Sequence, residues 1–114
     1  LIVSREGLGF DEVLLDCVNN VLMDILGEVG ASFVYRRLRC RYNIEREAIP
    51  GKIEDFSRGL VDLLGSGGEA ILHLIVDYIA DELHMTPPKG RRLGFLEKLR
   101  TLSTAWERQV IPVF

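Results

Sequence analysis

Between Glu69 and Met85 the sequence EAILHLIVDYIADELHM continues for about four helical turns without a Gly or a Pro. Wound at about 100° per residue, it gathers Glu69, His73, Asp77, Asp81 and His84 into one third of the circumference. Almost everything else is apolar: Ile71, Leu72, Leu74, Ile75, Val76, Ile79, Ala80 and Leu83, with Tyr78 among them, and Glu82 is the one charge outside the polar sector. A helix apolar over most of its surface must be covered on several sides. The stretch therefore predicts the central helix of a small bundle, and the remaining chain must supply the helices that cover it.

Those helices are legible from apolar spacing and from the glycines and prolines between them. Phe10, Val13, Leu14, Cys17, Val18, Val21, Leu22 and Ile25 recur at three–four spacing and predict a first helix over about Asp11–Leu26, with Asp11 as N-cap. The preceding Gly7-Leu8-Gly9-Phe10 spells the GLGF of PDZ carboxylate loops, but a helical pattern follows where a PDZ domain needs a strand. Gly27-Glu28-Val29-Gly30 reads as a tight turn, with Gly27 suited to a left-handed C′ position. A second helix follows over about Ala31–Tyr42, with Ala31, Val34, Tyr35, Leu38 and Tyr42 facing the core and Asn43 ending it.

Pro50-Gly51 breaks the chain, and a third helix over about Lys52–Leu64 buries Ile53, Phe56, Leu60, Leu63 and Leu64. Gly65-Ser66-Gly67-Gly68 then leads into the central, fourth helix. Pro87-Pro88 ends that helix, and a fifth over about Phe95–Arg108 aligns Phe95, Leu99, Leu102 and Trp106. The pattern Leu-Gly-x-x-Gly occurs before both the second and the fourth helix, at Leu26–Gly30 and Leu64–Gly68, which suggests two αα-hairpins packed together. The expected fold is all-α: four principal helices in a compact bundle plus a C-terminal fifth, forming one domain over residues 1–114.

Composition narrows the function classes. An apolar fraction of 47% and a charged fraction of 27% are those of a soluble globular chain. Glycine turns and charges interrupt the apolar runs before membrane-spanning length. A formal net charge of −3 argues against general affinity for nucleic acid, although a local basic patch can override it. Two cysteines, Cys17 and Cys40, are too few for a disulfide framework and lack metal-ligand spacing, so a reducing, cytoplasmic setting is expected. The chain starts without Met or a signal-peptide pattern, as expected of a trimmed chain or a fragment.

Three groups of residues could carry a function. His73, Asp77, Asp81 and His84 stand at spacings of about one turn, where imidazole and carboxylate can share Zn²⁺ or Mn²⁺ or pair for proton transfer. The same stripe also suits the solvent face of an amphipathic helix, and no HExxH motif accompanies it. Arg36, Arg37, Arg39 and Arg41, with Tyr35 and Tyr42 on either side of them, could bind phosphates and stack on bases. They are nevertheless spread around the helix, and the acidic first helix offers them partners within the protein or a dimer.

Phe33, Arg36, Arg37 and Cys40 share the face of the second helix that points away from its core side. Phe and Arg are enriched in interface cores, so this face, with the apolar termini Leu1-Ile2-Val3 and Val110–Phe114, predicts a contact with another subunit. The Gly65–Gly68 turn has no preceding strand and no following Lys-Ser/Thr, which excludes a P-loop in form.

The run Tyr42-Asn43-Ile44, then Ile49-Pro50, Phe56, Leu60 and Leu64-Gly65-Ser66-Gly67 before a long apolar helix, resembles small all-helical domains of uncharacterised archaeal proteins, some appended to signalling chains. The resemblance covers about Phe10–Leu83 and implies an all-α domain with a regulatory role, without an assigned reaction or any residue to carry over. The expected function is therefore non-enzymatic: an interaction or regulatory module, homodimeric or bound to another protein, with no cofactor. A metal or small-molecule site on the His73/Asp77/Asp81/His84 stripe and nucleic-acid binding through Arg36–Arg41 are the alternatives.

Overall fold

The computed structural model describes residues 9–88 and 94–110, with side chains as far as residue 108. Leu1-Ile2-Val3 and Phe114, expected at a subunit contact, lie outside the described residues. Four α-helices, α1 Phe10–Tyr42, α2 Ile53–Leu64, α3 Ser66–Glu82 and α4 Phe95–Val110, are accompanied by two short 3₁₀ turns, Arg46–Ala48 and Pro50–Lys52. No strand occurs among the described residues.

The expected count of five helices is corrected to four among the described residues, because the first two are arms of α1. Only Gly27 interrupts its helical backbone, at φ 75° and ψ 177°. Those two angles are open to glycine alone. The two arms (residues 10–26 and 28–42) are not collinear. Residues 19 and 35 of a straight helix would stand about 24 Å apart, yet Tyr35 Oη donates to Asn19 Oδ1 at 3.0 Å. The helix therefore folds back on itself at one residue, and the expected αα-hairpin is formed without a loop.

The second Gly-x-x-Gly behaves in the same way. The expected four-residue turn shrinks to Gly65 alone, at φ 60° and ψ −134°, and α3 starts at Ser66 rather than Glu69. Gly68 lies in the first turn of α3. A Cβ there would stand 2.8 Å from Leu60 C and 3.0 Å from Val61 Cα, too close for any residue but glycine. The close approach of α2 and α3 depends on that missing carbon.

As expected, α3 is central and packs against α1, α2 and α4. Ile71, Leu72, Ile75, Val76, Ile79 and Ala80 are buried along it. From α1 they meet Val18, Val21, Leu22, Val34 and Leu38, from α2 Phe56 and Leu60, and from α4 Phe95, Leu99, Leu102 and Trp106, in one continuous core. Every Tyr ties two helical segments together. Besides Tyr35, Tyr42 Oη donates to Asp62 Oδ2 at 3.2 Å, tying α1 to α2, and Tyr78 Oη donates to Asp24 Oδ2 at 3.0 Å, tying α3 to α1.

Two further expectations are corrected at helix ends. The N-cap of α1 is Gly9 rather than Asp11, and its N–H donates to Glu12 Oε1 at 2.7 Å. Helix α4 begins with the same device, Gly94 N–H donating to Glu97 Oε1 at 3.1 Å. Glu at the third helical position reaches back to satisfy an N–H that the helix leaves without a partner. At the other end of α3 the helix stops before Met85. His84 adopts a left-handed conformation (φ 56°), its N–H donates to Asp81 O at 3.1 Å, and Met85 N–H donates to Ala80 O at 2.7 Å. This pair of bonds is a Schellman motif with His in the position glycine usually takes.

Candidate functional site

The polar stripe of α3 is the first region to consider. Asp77 and Asp81 are exposed, and His73 is partly buried under α4. Lys98 Nζ lies 3.4 Å from His73 Nδ1, and Glu69 Oε1 lies 3.8 Å from His73 Nε2. An ammonium only donates, so His73 Nδ1 accepts and the ring hydrogen sits on Nε2, towards Glu69. His73 thus joins α3 to α4, with a cation already at one nitrogen. His84 has left the helical surface through its left-handed backbone and is exposed. Among the described residues no three His, Cys, Asp or Glu side chains form a group able to hold a metal ion.

The four arginines of α1 divide among different neighbours, all of them exposed. The Arg37 guanidinium lies over the Phe33 ring at 5.3 Å, and that of Arg41 over Tyr42 at 5.9 Å. Arg36 and Arg39 line a cleft of about 380 Å³ between the second arm of α1 and the first 3₁₀ turn. A third guanidinium joins them there from a residue the sequence reading did not single out. Arg46 lies over the Tyr35 ring at 4.7 Å and lines the same cleft. Tyr35 and Tyr42 are spent on core packing, as their place on the core face predicts, and on their hydrogen bonds, so neither ring is free to stack on a base. Burial pushes the Tyr35 hydroxyl above its usual range, with Arg46 opposing the shift.

The outer face of α1 carries the exposed apolar residues. Val29 is 84% exposed, Ile25 51% and Phe33 44%, with Met23 at 37%. Phe33 faces away from the core, as its position on the helix predicts. Ile25 was expected on the buried stripe and is not buried. It belongs to the last turn before the break at Gly27. Glu28, Val29, Ser32, Phe33 and Arg36 line a shallow groove of about 350 Å³ on this face. Along the arm the groove runs from an acid through apolar side chains to a base, with a small residue at its middle. Cys40 is exposed on the same arm, whereas Cys17 is buried in the core.

A third cleft, of about 620 Å³, lies among α2, α3 and α4, with Leu72 and Phe95 on its floor and Arg58, Asp62, Glu69 and Arg100 at its edge. Its charges are of both signs, and Arg58 already pairs with Glu54 at 3.7 Å and Asp55 at 3.8 Å. No helix among the described residues is long and apolar enough to cross a membrane. No known protein family, characterised protein or solved structure matches the chain.

Proposed function

We propose that the protein is a non-enzymatic interaction module that pairs with a second copy of itself through the second arm of α1. The observation that carries this reading is the exposure of Val29 and Phe33, at 84% and 44%, in a groove with Glu28 at one end and Arg36 at the other. Large apolar side chains grouped on a surface lose free energy by leaving water, at roughly 25 cal/mol per Å² of apolar area covered. Charge order supports a copy of the same chain as the occupant. Glu28, Ser32 and Arg36 follow one another at four-residue spacing along one helical row. Two such rows packed antiparallel about a two-fold axis near Ser32 set Glu28 of each copy against the partner's Arg36. That is the self-complementarity an isologous interface requires. The small side chain of Ser32 lets the two helices approach, and Val29 and Phe33 cover each other beside it.

Sedimentation across a concentration series tests the reading. The expected result is a monomer–dimer equilibrium that the Val29→Glu/Phe33→Glu variant abolishes. Glu28→Arg and Arg36→Glu singly weaken it, and the two together restore it. A monomer at every concentration, or a dimer indifferent to these substitutions, overturns the proposal.

A further inference from the structure

We infer that the cleft between the second arm of α1 and the 3₁₀ turn Arg46–Ala48 binds the phosphate group of a small phosphate monoester. Three guanidiniums, those of Arg36, Arg39 and Arg46, line it. Among the described residues neither Arg36 nor Arg39 makes an ion pair, although Glu45 and Glu47 line the same cleft. Arg46 is held in place from below. Its guanidinium rests 4.7 Å from the Tyr35 ring centre, and Tyr35 is itself fixed by its bond to Asn19 at 3.0 Å. A cation already seated loses little freedom when an anion arrives.

The chemistry of the donors selects the anion. One Arg fork satisfies the two oxygens of a carboxylate, whereas three forks around one cleft suit the additional oxygens and charge of a phosphate. The volume, about 380 Å³, is in the range of small-molecule sites and exceeds what a bare phosphate fills. It leaves room for the group that carries the phosphate. Glu45, Glu47 and the net charge of −3 work against a long polyanion, which would have to pass them. Arg39 and Arg46 lie outside the groove of Val29 and Phe33, so their part in the site does not depend on self-association, whereas Arg36 lines both.

The test is a titration of the protein with O-phosphoserine, inorganic phosphate, acetate and a single-stranded oligonucleotide, followed by calorimetry and amide chemical shifts. O-phosphoserine should bind saturably and more tightly than inorganic phosphate, with acetate far weaker. Arg39→Gln and Arg46→Gln should each weaken binding about tenfold, the scale of one lost charge-assisted hydrogen bond. Arg41→Gln should leave it unchanged, because Arg41 lies over Tyr42 and does not line the cleft. Arg39→Gln carries the reading alone should Arg46→Gln disturb Tyr35, because Arg39 lines the cleft but not the groove of Val29 and Phe33. The absence of saturable binding at millimolar concentration, or equal weakening by Arg41→Gln, overturns the inference. So does affinity for inorganic phosphate equal to that for O-phosphoserine, or tighter binding of the oligonucleotide per phosphate.

Discussion

The hydroxyl of Tyr35 reaches Asn19 across the bend of a single helix, at 3.0 Å from Oδ1. The two residues stand eight positions either side of Gly27, and their bond holds the arms of α1 against each other. Tyr35→Phe keeps the ring beneath Arg46 and removes only the donor. It should lower the unfolding free energy by about 1 kcal/mol, the net value of a typical hydrogen bond, as read from urea denaturation.

Two adjacent glycines of α3 should respond to alanine with opposite signs. Gly67 has open space where a Cβ would go, whereas Gly68 meets the backbone of Leu60 and Val61. Gly67→Ala should stabilise by up to about 1 kcal/mol through helix propensity. Gly68→Ala should destabilise by about 1–3 kcal/mol, because α2 and α3 must move apart. A thermal melt of each variant decides the matter, and equal shifts would remove the close-approach argument.

Glycine should also improve the end of α3. His84 holds a positive φ of 56° that an L side chain resists. His84→Gly keeps the Schellman bonds and relieves that resistance, so the melting temperature should rise, by the equivalent of about 0.5–1 kcal/mol. A loss of stability would mean that the imidazole has a contact worth more than the backbone strain.

The two thiols should separate cleanly by reactivity. Burial, with Glu82 and Asp16 adding to it, pushes the Cys17 thiol up to about 12, so no thiolate is present near neutrality. Cys40 is exposed. A thiol-reactive chromophore near pH 8 should therefore count one cysteine in the folded protein and two in denaturant. Rapid labelling of both without denaturant would contradict the burial of Cys17.

Alkali should destabilise the fold earlier than the loss of one side chain suggests. The Cys17 thiol rises from 9.0 to about 12 on folding. All three tyrosines rise above 10: Tyr35 and Tyr42 mainly through burial, Tyr78 mainly through its bond to Asp24. Groups raised on folding hold their protons in the native state after the unfolded chain has released them. The native state then binds more protons, and stability falls with rising pH. The contribution is intact below pH 9 and is lost from there through about 12, with Cys17 supplying at most about 1.4 kcal/mol per pH unit. Denaturant midpoints measured from pH 7 to 11 should stay level and then decline. Tyr78→Phe should flatten part of the decline.

The parts of this architecture that were legible in the chain are those fixed by burial pattern. The apolar circumference of α3 predicts its central place, and Phe95, Leu99, Leu102 and Trp106 are all buried as their spacing requires. The turns were misread because composition shows where glycines are, not what each one does. In both Gly-x-x-Gly segments the first glycine bends the chain at positive φ, and the second, Gly30 or Gly68, tolerates contact with the preceding helix. A loop of four residues and a bend of one look alike in sequence. The recurring Gly-Phe-x-Glu at Gly9–Glu12 and Gly94–Glu97, which the choice of Asp11 as cap passes over, begins two helices through the same backward hydrogen bond.

At the candidate sites, legibility followed distance along the chain. Phe33 was identifiable because it opposes its own helix's core face. Arg46 was not, because its place beside Arg36 and Arg39 depends on how Asn43 turns the chain after α1. The N–H groups of Asn43 and Ile44 both donate to Leu38 O, and Asn43 takes a left-handed conformation at φ 55°. The line of the histidine stripe is broken for a related reason. A regular helix would have kept His84 in line, but its own backbone turns it away.

Bends made of a single residue leave the protein almost no chain to give away. An insertion at Gly27 or Gly65 has no loop in which to be absorbed and would instead rotate one helix past its neighbour. Thr86–Pro88, which lies outside any helix and beyond the bond of Met85 to Ala80, can lengthen without altering a packed contact between α1, α2 and α3. Spliced-in tags, protease sites and reporter domains should therefore be tolerated there and rejected at both glycine bends.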